Sequence, residues 1–315
     1  MRLLLLHDLH LGPSGDPPSY ARPAINEAKF DAIVTAGDVI DENRDHAKSA
    51  AAGERYEGLG RAFYEFLHEE YDLPILAVPG NHDPLGCAER LTEGLDRAVV
   101  AHDRVVDERA FPGVDADFDG FAFAAWGCEG FDQGPEVRYT EFPATDPLAD
   151  ATSDTIDHVA AERADAVESA AERFLTGDLD AGGVADELGV SANRRRELFD
   201  QLDELEATYR SLCSLLTETD RRTLLFSHVS PFKVSFDHHH SERGPEGRVH
   251  RGSVALKVAI RRNGPHAVFS GHTHEYGIDT VATERGDRYA FNAGAPGVAV
   301  VEVEDDPRAL HVETA

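Results

Sequence analysis

Lysine is scarce in this chain: positions 29, 48, 233 and 257 hold all of it, against 59 Asp and Glu in 315 residues. The formal charge of −29 argues against extensive nucleic-acid binding, because neutralising a phosphate backbone takes Lys and Arg. The acid is spread along the whole length and arginine carries nearly all the positive charge. That pattern reads as a surface that stays hydrated at high salt, where screening limits self-repulsion. It leaves room for a small local cationic site around metal ions. Cysteine is equally sparse, and Cys87, Cys128 and Cys213 stand alone with no CxxC spacing, as expected in a reducing intracellular setting. Long apolar runs are missing too. Leu3–Leu6 is far shorter than a secretory core or a membrane span, and no long stretch follows it. The expectation is a soluble, cytoplasmic protein without membrane contact, long enough to form one large domain or a domain with an insertion.

What the chain does contain is a set of metal-ligand side chains at the ends of strand-like runs. Leu3–Leu6 leads into Asp8 and His10, Ala32–Thr35 into Asp38 with Asp41 beyond, and Ile75–Val78 into Asn81, His82 and Asp83. Later, Thr223–Phe226 leads into His228, and Ala267–Phe269 into His272 and His274. Short continuous apolar runs suit strands covered on both faces. Helix-compatible segments such as Gly60–Glu70 lie between the first three, giving a β–α–β alternation. Loops at strand C-terminal ends are where open α/β sheets gather ligands. Further strands are expected at Tyr289–Asn292, Val298–Val303 and Leu310–Glu313.

One stretch departs from this pattern. Over residues 146–219 strand-like runs give way to a helical period. Ile156, Val159, Ala160, Val167, Ala170, Ala171 and Phe174 share one helix face, and Leu198, Leu202, Leu205, Tyr209, Leu212 and Leu216 form a heptad-like seam. An α-helical insertion is expected between flanking core segments 1–145 and 220–315, as a cap over the site or a homodimer arm. Within it, Val184–Ser191 followed by Arg194, Arg195 and Arg196 fits either a helix-turn-helix or a tight turn with solvated arginines, and the degenerate pattern favours the turn.

Asp8 and His10, two residues apart, point the same way at a strand end. A carboxylate beside imidazoles suits Mn, Fe or Zn better than Mg or Ca. Asp38, after the tight turn that Gly37 permits, is placed to bridge two cations. A lone DxH or HxH is usually accidental, but five blocks in this order are not.

In these blocks the chain resembles the calcineurin-like metallophosphoesterase superfamily, and its small prokaryotic phosphoesterases in particular. The pattern D-x-H, G-D-x-x-D, G-N-H-[DE], a lone His and G-H-x-H is all present. The resemblance implies an α/β fold, a four-layer αββα sandwich of two mixed β-sheets flanked by helices. It implies two divalent cations, with Mn²⁺ first and Fe, Zn or Ni as alternatives. One would take Asp8, His10, Asp38 and His274, and the other Asp38, Asn81, His228 and His272. It further implies hydrolysis of a phosphomonoester or phosphodiester by in-line attack of a metal-bridging hydroxide. His82 would steady the transition state or protonate the leaving oxygen. Asp41 would then orient the His82 ring, with Asp83 as the alternative.

His250 and Ser253, in an H-x-G-S stretch, are expected to reach the substrate phosphate or ribose, and His238–His240 to form a solvated polar loop. Asn292-Ala293-Gly294-Ala295 resembles the N-x-G-S turn that often closes the family site, with Ala295 in place of Ser. His7 stands where the family frequently has Ser, either as a partner behind the ligands or as a mere neighbour, and is left outside the expected site. Two other functions compete: a DNA exonuclease or endonuclease of the repair type, and a non-catalytic metal-binding scaffold.

Overall fold

The computed structural model describes residues 1–12, 30–112, 114–129, 135–138, 159–238 and 249–314. Two six-stranded mixed sheets face one another. The first contains β1 (Arg2–His7), β2 (Ala32–Ala36), β3 (Ile75–Val78), β4 (Ala98–Val100), β13 (Gly297–Val303) and β14 (Leu310–Thr314), in the order β14-β13-β1-β2-β3-β4. The second contains β5 (Arg104–Val106), β6 (Phe121–Trp126), β8 (Arg222–Ser227), β10 (Ala267–Ser270), β11 (Tyr276–Val281) and β12 (Arg288–Ala293), in the order β11-β12-β10-β8-β6-β5. A small third sheet pairs β7 (Val159–Ala160) with β9 (Val249–His250).

Alternation along β1 shows how the layers form. Leu3 and Leu5 point between the sheets, where they meet Val34, Phe123, Phe226, Phe269 and Phe291. Leu4 and Leu6 point the other way, toward Phe63, Tyr64 and Leu67 of α1 (Ala50–Glu70) and Leu91 of α2 (Leu85–Thr92). Burial on both faces is why the strand reads as an unbroken apolar run rather than an alternation. Helices also cover the outer face of the second sheet, completing the α/β sandwich. They are α3 (Ala161–Leu175), α4 (Ala181–Glu187), α5 (Arg195–Thr217) and α6 (Val254–Asn263).

The apolar positions of α5 lie on this layer. Leu198, Leu202, Leu205, Tyr209, Leu212 and Leu216 are all buried, in one cluster with α6 residues such as Leu256 and Ile260 and with Leu225 of β8. The heptad-like seam is therefore consumed inside the chain, and a dimer arm would need another face. Val159 and Ala160, expected on a helix, pair as strand β7, while Val167, Ala170 and Ala171 are buried as expected; Ile156 lies outside the described residues. At the turn between α4 and α5, Arg195 pairs with Asp186 at 2.5 Å and Arg194 with Glu197 at 3.1 Å. Among the described residues, no helix is long and apolar enough to cross a membrane.

Candidate metal centre

β1, β2 and β3 run parallel in the first sheet, and β8 and β10 run parallel in the second. Each ends beside one of the five blocks, so the two sheets deliver them to a common edge. The backbone there is strained. Asp8, His10, Asp38, His272 and His274 have φ of 49°, 44°, 53°, 68° and 61°, in the left-handed region that costs non-glycine residues about 1–3 kcal/mol each. Cross-links between the blocks hold them in it. The Asp8 N–H donates to Gly37 O at 3.0 Å and the His10 N–H to Asp38 O at 3.1 Å. The His272 N–H donates to the Asp8 carboxylate at 2.9 Å. Gly37 lies so close to His228 that an added Cβ would sit 2.3 Å from its Nδ1, and its φ of +87° also needs glycine.

The side chains converge in two groups. In the first, His274 Nε2 lies 2.9 Å from His10 Nε2 and 3.5 Å from Asp8 Oδ1. In the second, Asn81 Oδ1 lies 2.8 Å from His228 Nε2 and 3.1 Å from His272 Nδ1. Asp38 belongs to both, with Oδ2 3.3 Å from His228 Nε2 and 4.0 Å from His10 Nε2. The His228 Nδ1–H donates to Ala36 O at 3.0 Å, which fixes the tautomer and turns Nε2 toward the oxygens.

These donors fit divalent cations. They are carboxylate, amide and imidazole groups, and the buried His272 Nε2 has no hydrogen-bond partner among the described residues. Within Asp8, His10 and His274, and again within Asp38, His228 and His272, candidate ligand atoms all lie within 4.8 Å of one another.

The local electrostatics match. Burial pushes the Asp38 carboxyl up, but the neighbouring His228 more than reverses this and brings it down to about 2. Burial depresses His228 while Asp38 and Asp8 raise it, leaving it pushed up to about 10. Burial and the nearby His228 push His272 down to about 3. Burial raises the Asp8 carboxyl, but His274 and His7 outweigh it and hold it well below the usual range. Asp38 and Asp8 are thus anionic and His272 is a neutral donor, while His228 carries a proton that a bound cation would displace.

His82 sits at the rim, its ring centroid 4.9 Å from that of His10. Its N–H donates to Asp38 Oδ1 at 2.8 Å, and its Nδ1–H donates to the Asp41 carbonyl. The contact of Asp41 with this ring is made by its backbone carbonyl; its carboxylate lies 3.3 Å from His10 Nδ1. Asp83 faces inward. Its Oδ1 accepts the N–H groups of Asp38 at 2.8 Å and Gly80 at 2.9 Å. Burial and the nearby Asp38 push its carboxyl up to about 7.

Two supports lie outside the site assigned from sequence. His7 is buried, its Nδ1–H donating to Asp8 Oδ2 at 2.6 Å and its Nε2 accepting the Ala293 N–H at 3.1 Å. Gly297 makes the room, since a Cβ there would lie 2.4 Å from His7 Cε1. Adjacency to Asp8 on a buried strand was the available signal. Asn43 is the other, its Nδ2 donating to His82 O at 2.5 Å. The Asn292 turn contributes as well, with Nδ2 donating to Gly271 O at 2.9 Å.

Ser253 lies elsewhere. It is the N-cap of α6, accepting the Leu256 N–H at 3.0 Å and donating to Glu136, so its hydroxyl is engaged within the fold. His250 is buried against Asp237 and is absent from both ligand groups. His239 and His240 lie outside the described residues.

The sequence pattern of the family described as calcineurin-like phosphoesterase matches residues 1–276. The chain belongs to the calcineurin-like phosphoesterase family. It is thereby a member of a superfamily of metal-dependent hydrolases whose centres hold two metals. No curated protein matches it. Among solved structures it is similar to the NAD nucleotidase NadN of Haemophilus influenzae, at 12% identity and a TM-score of 0.41, covering 100% of this chain and 55% of that one. It is also similar to the sulfate thiohydrolase SoxB of Thermus thermophilus, at 14% identity and a TM-score of 0.37, covering 90% of this chain and 38% of that one. The chain thus spans about half or less of the length of these solved proteins.

Proposed function

We propose that this family member hydrolyses a phosphomonoester or phosphodiester at a dinuclear centre, with manganese as the first candidate cation. The observation that carries the reading is the position of Asp38, one carboxylate shared between the His10 side and the His228 side. Asp8, His10, Asp38 and His274 would hold one ion, and Asp38, Asn81, His228 and His272 the other. When bound, such a pair polarises phosphoryl oxygens and supplies a hydroxide nucleophile at neutral pH for in-line displacement.

The chain's own residues do the rest. His82 spends its Nδ1–H on the Asp41 carbonyl, so Nε2 is the atom that holds transition-state charge or passes a proton to the leaving oxygen. Asp83 and Asn43 fix the loop that carries it. His7 sets the Asp8 carboxylate. The acidic composition adds an expectation of operation at high salt, and the isolated cysteines one of a reducing, cytoplasmic setting.

The test is a panel of chromogenic phosphomonoesters and phosphodiesters together with DNA, run at high salt on metal-stripped protein with Mn²⁺ added back. Turnover of a small ester that depends on added cation supports the reading. Turnover of no ester at saturating Mn²⁺ overturns it, and cleavage confined to DNA moves the assignment to the nucleases.

A further inference from the structure

We propose that Asp237, His238 and His250 form a third divalent-cation site, separate from the two ligand groups above, suited to zinc or a similar first-row ion. Their candidate ligand atoms lie within 4.8 Å of one another. The His250 Nδ1–H donates to Asp237 Oδ1 at 2.6 Å, and His238 Nδ1 lies 3.9 Å from the same oxygen. The two ring centroids are 4.4 Å apart.

The carboxylate is set in place by the backbone around it. Asp237 Oδ2 accepts the Lys233 N–H at 2.6 Å. Lys233 has a left-handed φ of 58°, the turn that brings this N–H inward. The Asp237 carbonyl accepts the Arg251 N–H at 3.0 Å, tying the loop after β8 to the segment that carries His250. With Oδ2 engaged, Oδ1 is the oxygen presented to both imidazoles.

Two imidazoles, those of His250 and His238, face the same carboxylate oxygen. Two imidazoles and one carboxylate are the donor set of zinc and its neighbours, and three protein ligands leave a coordination position for water. The Asp237 side chain is fully buried, while that of His238 is 27% exposed. Binding at His250 Nδ1 takes the neutral ring in its other tautomer, with the proton on Nε2, so a metal bond replaces the hydrogen bond to Asp237.

The site also touches the main centre mechanically. The Thr273 hydroxyl donates to the Phe236 carbonyl at 2.6 Å, and Thr273 stands between His272 and His274. An ion on Asp237 therefore stiffens the loop that braces the G-H-x-H turn. The expected total of three ions rests on the two-ion reading of the main centre, whereas the loss of one ion on substitution at His238 or His250 does not.

The experiment uses the full chain, stripped with chelator, reloaded with Zn²⁺, washed at high salt and analysed for zinc per chain by mass spectrometry. Wild type is expected to retain three ions. His238→Ala, a change at a partly exposed side chain, is expected to retain two with an unchanged circular dichroism spectrum, and His250→Gln likewise. Asp38→Ala with His228→Ala should keep the ion on Asp237 while losing ions from the main centre. A count unchanged from wild type in both His238→Ala and His250→Gln overturns the proposal, whatever the wild-type total.

Discussion

The Asp83 carboxylate grips the backbone of Asp38: Oδ1 accepts the Asp38 N–H at 2.8 Å, and Oδ2 accepts the next N–H, that of Val39, at 2.9 Å. The shared ligand is therefore positioned by a residue two places beyond Asn81, which locks the second and third blocks together. Asp83→Asn replaces one acceptor oxygen with an N–H donor facing N–H groups. Loss of such support typically weakens metal binding about 10–100-fold. Cation affinity, measured by titrating Mn²⁺ into stripped protein, should fall in that range, and wild-type affinity in the variant would show that Asp83 is dispensable.

His82 and Asp41 should separate cleanly by mutation. His82→Ala removes the imidazole and is expected to lower kcat about 10²–10⁴-fold. Asp41→Ala keeps the carbonyl that receives the His82 Nδ1–H, so kcat should fall less than about tenfold. Its loss should appear mainly in cation affinity, because the Asp41 carboxylate faces His10. Equal kcat losses in the two variants would contradict this division.

His7→Phe keeps an aromatic ring but loses both the donor to Asp8 and the acceptor for Ala293. Leaving a buried polar group unpaired costs about 1–3 kcal/mol. The variant should melt at lower temperature and bind cations about 10–100-fold more weakly. Gly297→Ala, which drives a Cβ into the same ring, should show the same pair of defects, and normal metal binding in both would remove His7 from the site.

Glu57 provides a pH test away from the metal ligands. Burial raises its pKa, but Arg90 and Arg44 outweigh burial and hold it down at about 2, below its ordinary 4.5. A depressed folded pKa contributes stability that is present above the unfolded value and lost as pH falls from about 4.5 toward 2. Arg44 is partly exposed, so solvent screening limits the contribution to about 1–3 kcal/mol. Denaturant unfolding should show Glu57→Gln less stable than wild type at pH 6, with the gap narrowing by pH 3. A gap that does not change with pH would disprove the linkage.

Salt should stabilise this chain. At −29 the folded surface repels itself, and the Debye length shortens from about 10 Å at 0.1 M to about 3 Å at 1 M. The thermal midpoint should rise from dilute buffer to molar KCl, and a flat or falling midpoint would count against the high-salt reading.

The amino-acid order by itself determined the apolar strands, the five blocks at their ends and the donor types they carry. Local rules suffice for that: a strand buried on both faces is a continuous apolar run, and a ligand lies where the strand ends. The Leu3–Leu6 run and the G-H-x-H block were legible for this reason. Other features depended on partners far apart in the chain. Asp41 acts on His82 through a carbonyl, which residue type cannot reveal. Ser253 is drawn into a helix cap and Glu136, because α6 begins where the segment at Glu136 passes. The α5 seam is closed by α6 and the second sheet, while spacing alone shows only that it must be covered. His7 became a support because β12 and β13 brought Ala293 and Gly297 to its ring. Sequence settles which atoms can ligate or donate; tertiary packing decides which of them meet, because those contacts join segments from 41 to 286 residues apart.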